Sequence, residues 1–147
     1  MTGGGSAEIT PADIVLADWG TSNLRLWAMD AAGHIRAEYR SDMGMGQLDQ
    51  DGFGPELDCC LGAMAVPADT PVLICGMAGA IQGWHEAPYL DAPCDLSAIG
   101  DDAVRVEHGG RDIRILPGIA QRERTAPDVM RGEETILYGL AWTGTGD

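Results

Sequence analysis

Eight consecutive residues, Asp18-Trp19-Gly20-Thr21-Ser22-Asn23-Leu24-Arg25, hold the densest potential chemistry in the chain. A carboxylate closes an apolar run, a glycine permits a turn with positive φ, and two hydroxyls and an amide follow. Backbone N–H groups in such a turn form a concavity for an anion, and the hydroxyls add donors. Asp18 is suited to hold Mg²⁺, through water because that ion gives up its hydration reluctantly. The same residues also suit a plain β-hairpin turn, in which Asp, Gly and Ser serve local hydrogen bonding alone. By themselves the eight residues fit both readings.

A second cluster, Arg131-Gly132-Glu133-Glu134-Thr135, opens the last periodic stretch. Ile136, Leu137, Leu140 and Ala141 form an apolar stripe that predicts a helix over 131–142, ended by Thr143-Gly144-Thr145-Gly146. Glu133 extends that stripe, preceding Ile136, Leu137 and Leu140 by 3, 4 and 7 positions. A carboxylate there is desolvated at a cost unless it is used or paired. Glu134 falls about 100° round the helix, on the flank. Acids in a first turn also complement the helix dipole and cap free N–H groups, and that reading stands beside the chemical one.

The elements that must position these groups follow from periodicity. Asp13 to Ala17 is a short run of β-formers and reads as a buried strand delivering Asp18 to the turn. Residues 23–29 alternate, with Leu24, Leu26 and Ala28 on one face and Arg25, Trp27 and Met29 on the other. Beyond the turn at Asp30-Ala31-Ala32-Gly33, Ile35, Ala37 and Tyr39 alternate with His34, Arg36, Glu38 and Arg40. Three strands joined by tight turns predict an antiparallel meander. Residues 42–54, with four glycines and three aspartates, read as a loop, and 55–65 as a helix with Pro55 at its first position.

Val72-Leu73-Ile74-Cys75 reads as a second buried strand, followed by Gly76-Met77-Ala78-Gly79-Ala80. Residues 86–104 show little periodicity. Val104 and Val106 are expected to pair, across His108-Gly109-Gly110, with Ile113 to Leu116, and Pro117-Gly118 to close that strand. The expected class is α/β: a mixed sheet of three antiparallel strands then two further strands, with flanking helices. Residues 1–12 are expected to be a flexible head, 13–142 a single lobe and 143–147 a tail.

Composition narrows the chemistry. The chain has 147 residues, 23 acidic against nine basic, a net charge of −14, and no lysine. That balance argues against nucleic-acid binding, which needs a basic surface, and disfavours anionic ligands unless Mg²⁺ or placed arginines offset the field. It also excludes a Schiff-base or Walker-A lysine from this chain. Cys59, Cys60, Cys75 and Cys94 form no CxxC pair, and with His34, His85 and His108 as the only histidines they read as reduced thiols rather than a zinc site. His85 and His108 read as surface residues. No apolar run approaches the ~20 residues of a membrane span, and the start lacks signal-peptide features, so the expected location is cytoplasmic.

Asp-x-Gly-Thr-x-x-x-Arg after a first strand resembles the first phosphate loop of the sugar kinase/actin/Hsp70-like ATPases. Further segments narrow the resemblance. Cys75-Gly76-Met77-Ala78-Gly79, Gln82-Gly83-Trp84, Glu86-Ala87-Pro88-Tyr89, Pro117-Gly118-Ile119 and Val129-Met130-Arg131-Gly132-Glu133-Glu134-Thr135 occur in that order. Together they resemble the 2-dehydro-3-deoxygalactonokinases, from about Ile14 to Leu140. The resemblance implies a ribonuclease-H-like lobe that binds ATP, with Mg²⁺, and a sugar acid. On it, Gly20, Thr21, Ser22 and Asn23 hold ATP phosphates and Asp18 holds Mg²⁺ through water. Glu133, with Glu134 in reserve, is the general base. Arg25, Gly76, Met77, Gly79, Trp84 and Arg131 meet the substrate.

Kinases of this kind place the ligands between two lobes, and the second lobe carries another glycine-rich phosphate loop. No such loop follows residue 120 here. The expectation is therefore an N-terminal lobe, inactive alone, completed by a C-terminal lobe or by a homo-oligomer. Two alternatives are a non-catalytic sugar-acid-binding or regulatory lobe and a phosphoanhydride hydrolase of the same superfamily. Nothing in the residues reads the sugar epimer.

Overall fold

The computed structural model describes residues 12–92, 101–121 and 128–130. The predicted helix over 131–142, with Arg131, Glu133 and Glu134, lies outside the described residues, as do the head, the tail and Cys94.

Period-2 alternation builds the first three strands. β1 (Ile14–Trp19), β2 (Leu24–Met29) and β3 (Ile35–Ser41) form the expected antiparallel meander. Val15, Ala17 and Trp19 of β1 and Leu24, Leu26 and Ala28 of β2 point to one side and are buried. Ile14, Leu16 and Asp18 point to the other side and are only half-buried, so β1 is not covered equally on both faces as its apolar run suggested. β3 is an edge strand: Ile35 is 58% and Tyr39 37% exposed, and Ala37 alone of its apolar residues packs against the core.

The chain then makes two short 3₁₀ turns, Met45–Gln47 and Gln50–Gly52, before helix α1 (Phe53–Ala63). Pro55 lies in the first turn of α1, where a missing N–H leaves no bond unmade. Phe53, Leu57, Cys60 and Leu61 are its buried side chains and pack on the inner face of the sheet. Burying a side chain of this kind contributes roughly 1.5–3 kcal/mol, so this face supplies the main driving force for folding.

β4 (Val72–Gly76) runs parallel to β1, and β7 (Arg111–Ile115) runs parallel to β4. β6 (Val104–His108) pairs antiparallel with β7 across Gly109-Gly110, both at positive φ (65° and 76°), the geometry of a two-residue hairpin turn. The main sheet thus has six strands in the order β3-β2-β1-β4-β7-β6. A second sheet joins β5 (Tyr89–Asp91), β8 (Gly118–Gln121) and β9 (Asp128–Met130) in the order β9-β8-β5. Gly118 therefore opens a strand rather than closing one. The mixed α/β lobe is as expected, and its additional strands lie where segments of three or four residues are too short to show a period.

Trp19, Phe53, Trp84 and His108 form one aromatic cluster beneath the sheet. Phe53 and Trp84 stack with centroids 6.0 Å apart, and Trp19 meets Phe53 edge-on at 5.2 Å. Such pairs contribute about 0.5–1.5 kcal/mol beyond burial. His108 lies 5.8 Å from the Trp84 ring, and its Nε2 is 2.9 Å from Asp58 of α1. It is half-buried between helix and hairpin, not on the open surface, because Gly54 leaves room for its ring: a Cβ there would lie 2.7 Å from His108 Nδ1. No helix among the described residues is long and apolar enough to cross a membrane.

Candidate phosphate-binding site

The β1–β2 turn brings Asp18, Gly20, Thr21, Ser22, Asn23 and Arg25 to one open cleft of about 380 Å³, with Arg40 of β3 on its rim. The Gly20 N–H donates to the Asn23 carbonyl at 2.9 Å, closing the turn. Gly20 is thus committed within the turn, and its φ is not positive, contrary to the role expected of it. Thr21, Ser22 and Asn23 are exposed, and among the described residues no protein acceptor takes their N–H groups. Successive N–H groups without a protein acceptor, beside two hydroxyls, are the kind of donor set that can meet an anion.

The loop after β3 shapes that turn from behind. Met45 N–H donates to the Gly20 carbonyl and Gly46 N–H to the Thr21 carbonyl, each at 2.8 Å. Trp19 Nε1 donates to the Met43 carbonyl at 3.1 Å. Two of the turn's carbonyls, those of Gly20 and Thr21, are thereby taken up by the loop. Gly44 lies against the turn so closely that a Cβ would come within 2.5 Å of the Thr21 carbonyl oxygen and closer still to Ser22 and Asn23. Gly44 and Arg40 are the residues that reading the sequence missed. Nothing in their types ties them to a turn some twenty positions earlier.

Arg25 Nη2 lies 2.5 Å from Asp18 Oδ2, and its guanidinium carbon lies 5.5 Å from the Trp27 ring. One oxygen of Asp18 is taken by arginine. The other, Oδ1, lies 4.0 Å from Cys75 Sγ. Among the described residues no group of three or more His, Cys, Asp or Glu gathers at one point. The donor set therefore fits a single-carboxylate Mg²⁺ site completed by water and phosphate, and does not fit an all-protein cage.

The remaining expected substrate residues sit elsewhere. Gly76 (φ 101°) lies behind Asp18, where a Cβ would come 2.7 Å from the Trp19 carbonyl and 3.2 Å from Asp18 Oδ1. That glycine answers a close approach of two strands. Met77 is half-buried and Gly79 buried in the 3₁₀ turn Met77–Gly79, with the Gly79 carbonyl accepting from Ala87. Trp84 is 6% exposed and stacked in the core, and its carbonyl accepts from Gln50 Nε2. Within the described residues its ring serves packing. His85 is exposed, as expected.

A mixed-sheet lobe thus presents one cleft in which this turn, Asp18 and two arginines meet. The chain belongs to the 2-keto-3-deoxy-galactonokinase family, which matches residues 18–147. It is 52% identical over 124 residues to a Rhizobium meliloti (strain 1021) protein described as a 2-dehydro-3-deoxygalactonokinase, DgoK1, covering 84% of this chain and 40% of that one. It is 34% identical over 131 residues to the 2-dehydro-3-deoxygalactonokinase of Escherichia coli (strain K12), covering 87% and 42%. A crystal structure described as a 2-dehydro-3-deoxygalactonokinase protein from Sinorhizobium meliloti superposes with a TM-score of 0.82 at 50% identity, over 87% of this chain and 42% of that one. The chain thus spans about two-fifths of the length of these relatives.

Proposed function

We propose that this lobe is the phosphate-gripping part of an ATP-dependent kinase acting on 2-dehydro-3-deoxygalactonate. The observation that carries the reading is the row of unclaimed N–H groups at Thr21, Ser22 and Asn23, held open by the 43–46 loop. Positioning and charge stabilisation account for most catalysis of phosphoryl transfer, so a rigid amide cradle is the part such a lobe must supply.

In this reading the turn orients the β- and γ-phosphates, and Asp18 would hold Mg²⁺ through water. Mg²⁺ there neutralises charge on the phosphates when bound. The substrate hydroxyl oxygen forms a bond to the γ-phosphorus as the bond to the bridging oxygen breaks and ADP departs. Glu133, with Glu134 as the alternative, accepts the hydroxyl proton. Arg131 and Arg25 serve the substrate carboxylate in this reading, and the Gly76, Met77 and Gly79 segment serves the same ligand. A second lobe meets the other side of the nucleotide, and the 147-residue chain is inactive without it.

The test is ADP release with Mg·ATP, with and without the sugar acid. It uses the 147-residue chain and the same lobe joined to the remaining length of the Rhizobium meliloti relative. Release by the joined protein only when sugar acid is present supports the reading. Turnover of ~1 s⁻¹ or more, at the low end of ordinary enzymes, from the short chain alone would contradict its dependence on a second lobe. ADP release that ignores the sugar would make it a hydrolase.

A further inference from the structure

The outer face of the sheet carries a row of four side chains at the level of the cleft. Strand register sets Asp18 opposite Cys75 on one side and Arg25 on the other, and sets Arg25 opposite Arg40. Two arginines thus occupy directly opposed positions on neighbouring strands, a pairing of like charges that is destabilising in itself. A single carboxylate, Asp18, serves the row, and it is engaged by Arg25, which Trp27 also holds from the side. The acid within β3, Glu38, accepts from Trp27 Nε1 through its Oε2 at 2.9 Å. Among the described residues no carboxylate ion-pairs with Arg40, although the chain has 23 acids for nine arginines. Arg40 is exposed on the cleft rim.

We propose that Arg40 is a further anion-recognising residue of this cleft, binding an oxyanion group of the ligand, phosphoryl or carboxylate, beside Arg25, whose charge Asp18 already offsets. The proposal rests on the phosphate-cleft reading and assigns a contact that the first-loop motif does not contain. A guanidinium meets either group through two parallel N–H bonds, which a lysine at the same position matches only in charge. The protein's negative field otherwise repels such ligands, so an unneutralised arginine at the rim also raises their local concentration.

The experiment compares wild type, Arg40→Gln and Arg40→Lys, each isotope-labelled and titrated separately with tripolyphosphate and with 2-dehydro-3-deoxygalactonate. Binding is read from the amides of residues 20–23. Arg40→Gln is expected to weaken one or both probes roughly tenfold, the loss typical of one charge-assisted bond, with part regained in Arg40→Lys. Melting temperature is expected to stay at the wild-type value or rise slightly, because removing Arg40 breaks no ion pair among the described residues and relieves a like charge opposite Arg25. Loss for tripolyphosphate alone assigns Arg40 to phosphoryl groups, and loss for the sugar acid alone assigns it to the carboxylate. Unchanged affinity for both probes, with the turn amides still responding, overturns the proposal and leaves the cleft reading intact. Turn amides that fail to respond in wild type overturn the cleft reading and this proposal with it.

Discussion

Gly44 packs against the backbone of Asn23 with no room for a methyl group between them, although the two residues lie on different loops. Its own backbone (φ −73°, ψ 176°) is one that any residue adopts. A side chain there is excluded by the turn alone, so Gly44→Ala tests the shape of the turn without straining the chain. The turn must shift, and misplacing a ligand-positioning group by ~1 Å costs on the order of 10²-fold in rate. We expect Mg·ATP binding weaker by roughly ten- to a hundred-fold with the circular-dichroism spectrum unchanged. Wild-type affinity in Gly44→Ala would show that the turn does not set the phosphate site.

Asp18 is expected to matter more for metal than for stability. Its ion pair with Arg25 is partly open to solvent, the side chains being 19% and 42% exposed, and pairs of that kind contribute about 0–1 kcal/mol. Asp18→Asn should therefore move the urea midpoint little while abolishing the gain in ATP affinity on adding Mg²⁺. Calorimetric titration of ATP with and without the ion measures this. A Mg²⁺ effect equal to wild type would remove Asp18 from the metal site.

Trp84→Ala separates core packing from ligand contact. The indole is stacked on Phe53 and nearly fully buried, and emptying such a site costs about 3–5 kcal/mol. Chemical denaturation should show that loss, and conditions that keep the variant folded should restore near-normal ligand affinity. Full stability with lost sugar-acid binding would return Trp84 to the pocket.

The adjacent thiols Cys59 and Cys60 should behave oppositely. Cys59 is exposed, whereas burial, aided by the Glu56 carboxylate 3.5 Å away, pushes the Cys60 thiol up from its ordinary 9.0 to about 12. In Cys59→Ser, position 60 should stay unalkylated at pH 8 until the chain unfolds, as read by peptide mass spectrometry. The folded form holds this proton more tightly than the unfolded form. Its contribution to stability is therefore complete below pH ~9 and declines as pH rises through about 12. Rapid alkylation of folded Cys60 at pH 8 would contradict this.

Some of these features were readable from residue order and others were not, for identifiable reasons. The burial of Leu24, Leu26 and Ala28 follows from period-2 alternation in a half-covered strand, and the Gly109-Gly110 hairpin from its turn chemistry. Grouping Asp18, residues 20–23 and Arg25 in one cleft was equally legible, because a tight hairpin keeps them together. The glycine that matters was not. Gly20 is conformationally ordinary, while the demand for a missing side chain falls on Gly44 and Gly76, through contacts between distant segments. Arg40 joins the cleft only through strand register, which alternation alone does not specify. The burial of Trp84 depends on its stacking with Phe53, thirty-one positions away, which residue type alone does not specify.

Glu133→Gln in the joined two-lobe protein is expected to lower kcat by about 10²–10⁴ while leaving the KM for ATP near wild type, the signature of a lost general base. Retained kcat would transfer that role to Glu134 or away from this segment.

The central claim, that the turn at residues 20–23 is a preformed phosphate grip, is tested most directly by titrating the isotope-labelled 147-residue chain with Mg·ATP and following backbone amides by NMR. The predicted result is a saturable shift centred on Thr21, Ser22 and Asn23, with smaller changes at Gly44 to Gly46 behind them. Amides of the turn that stay unmoved while another region responds, or no response at millimolar nucleotide, would contradict it.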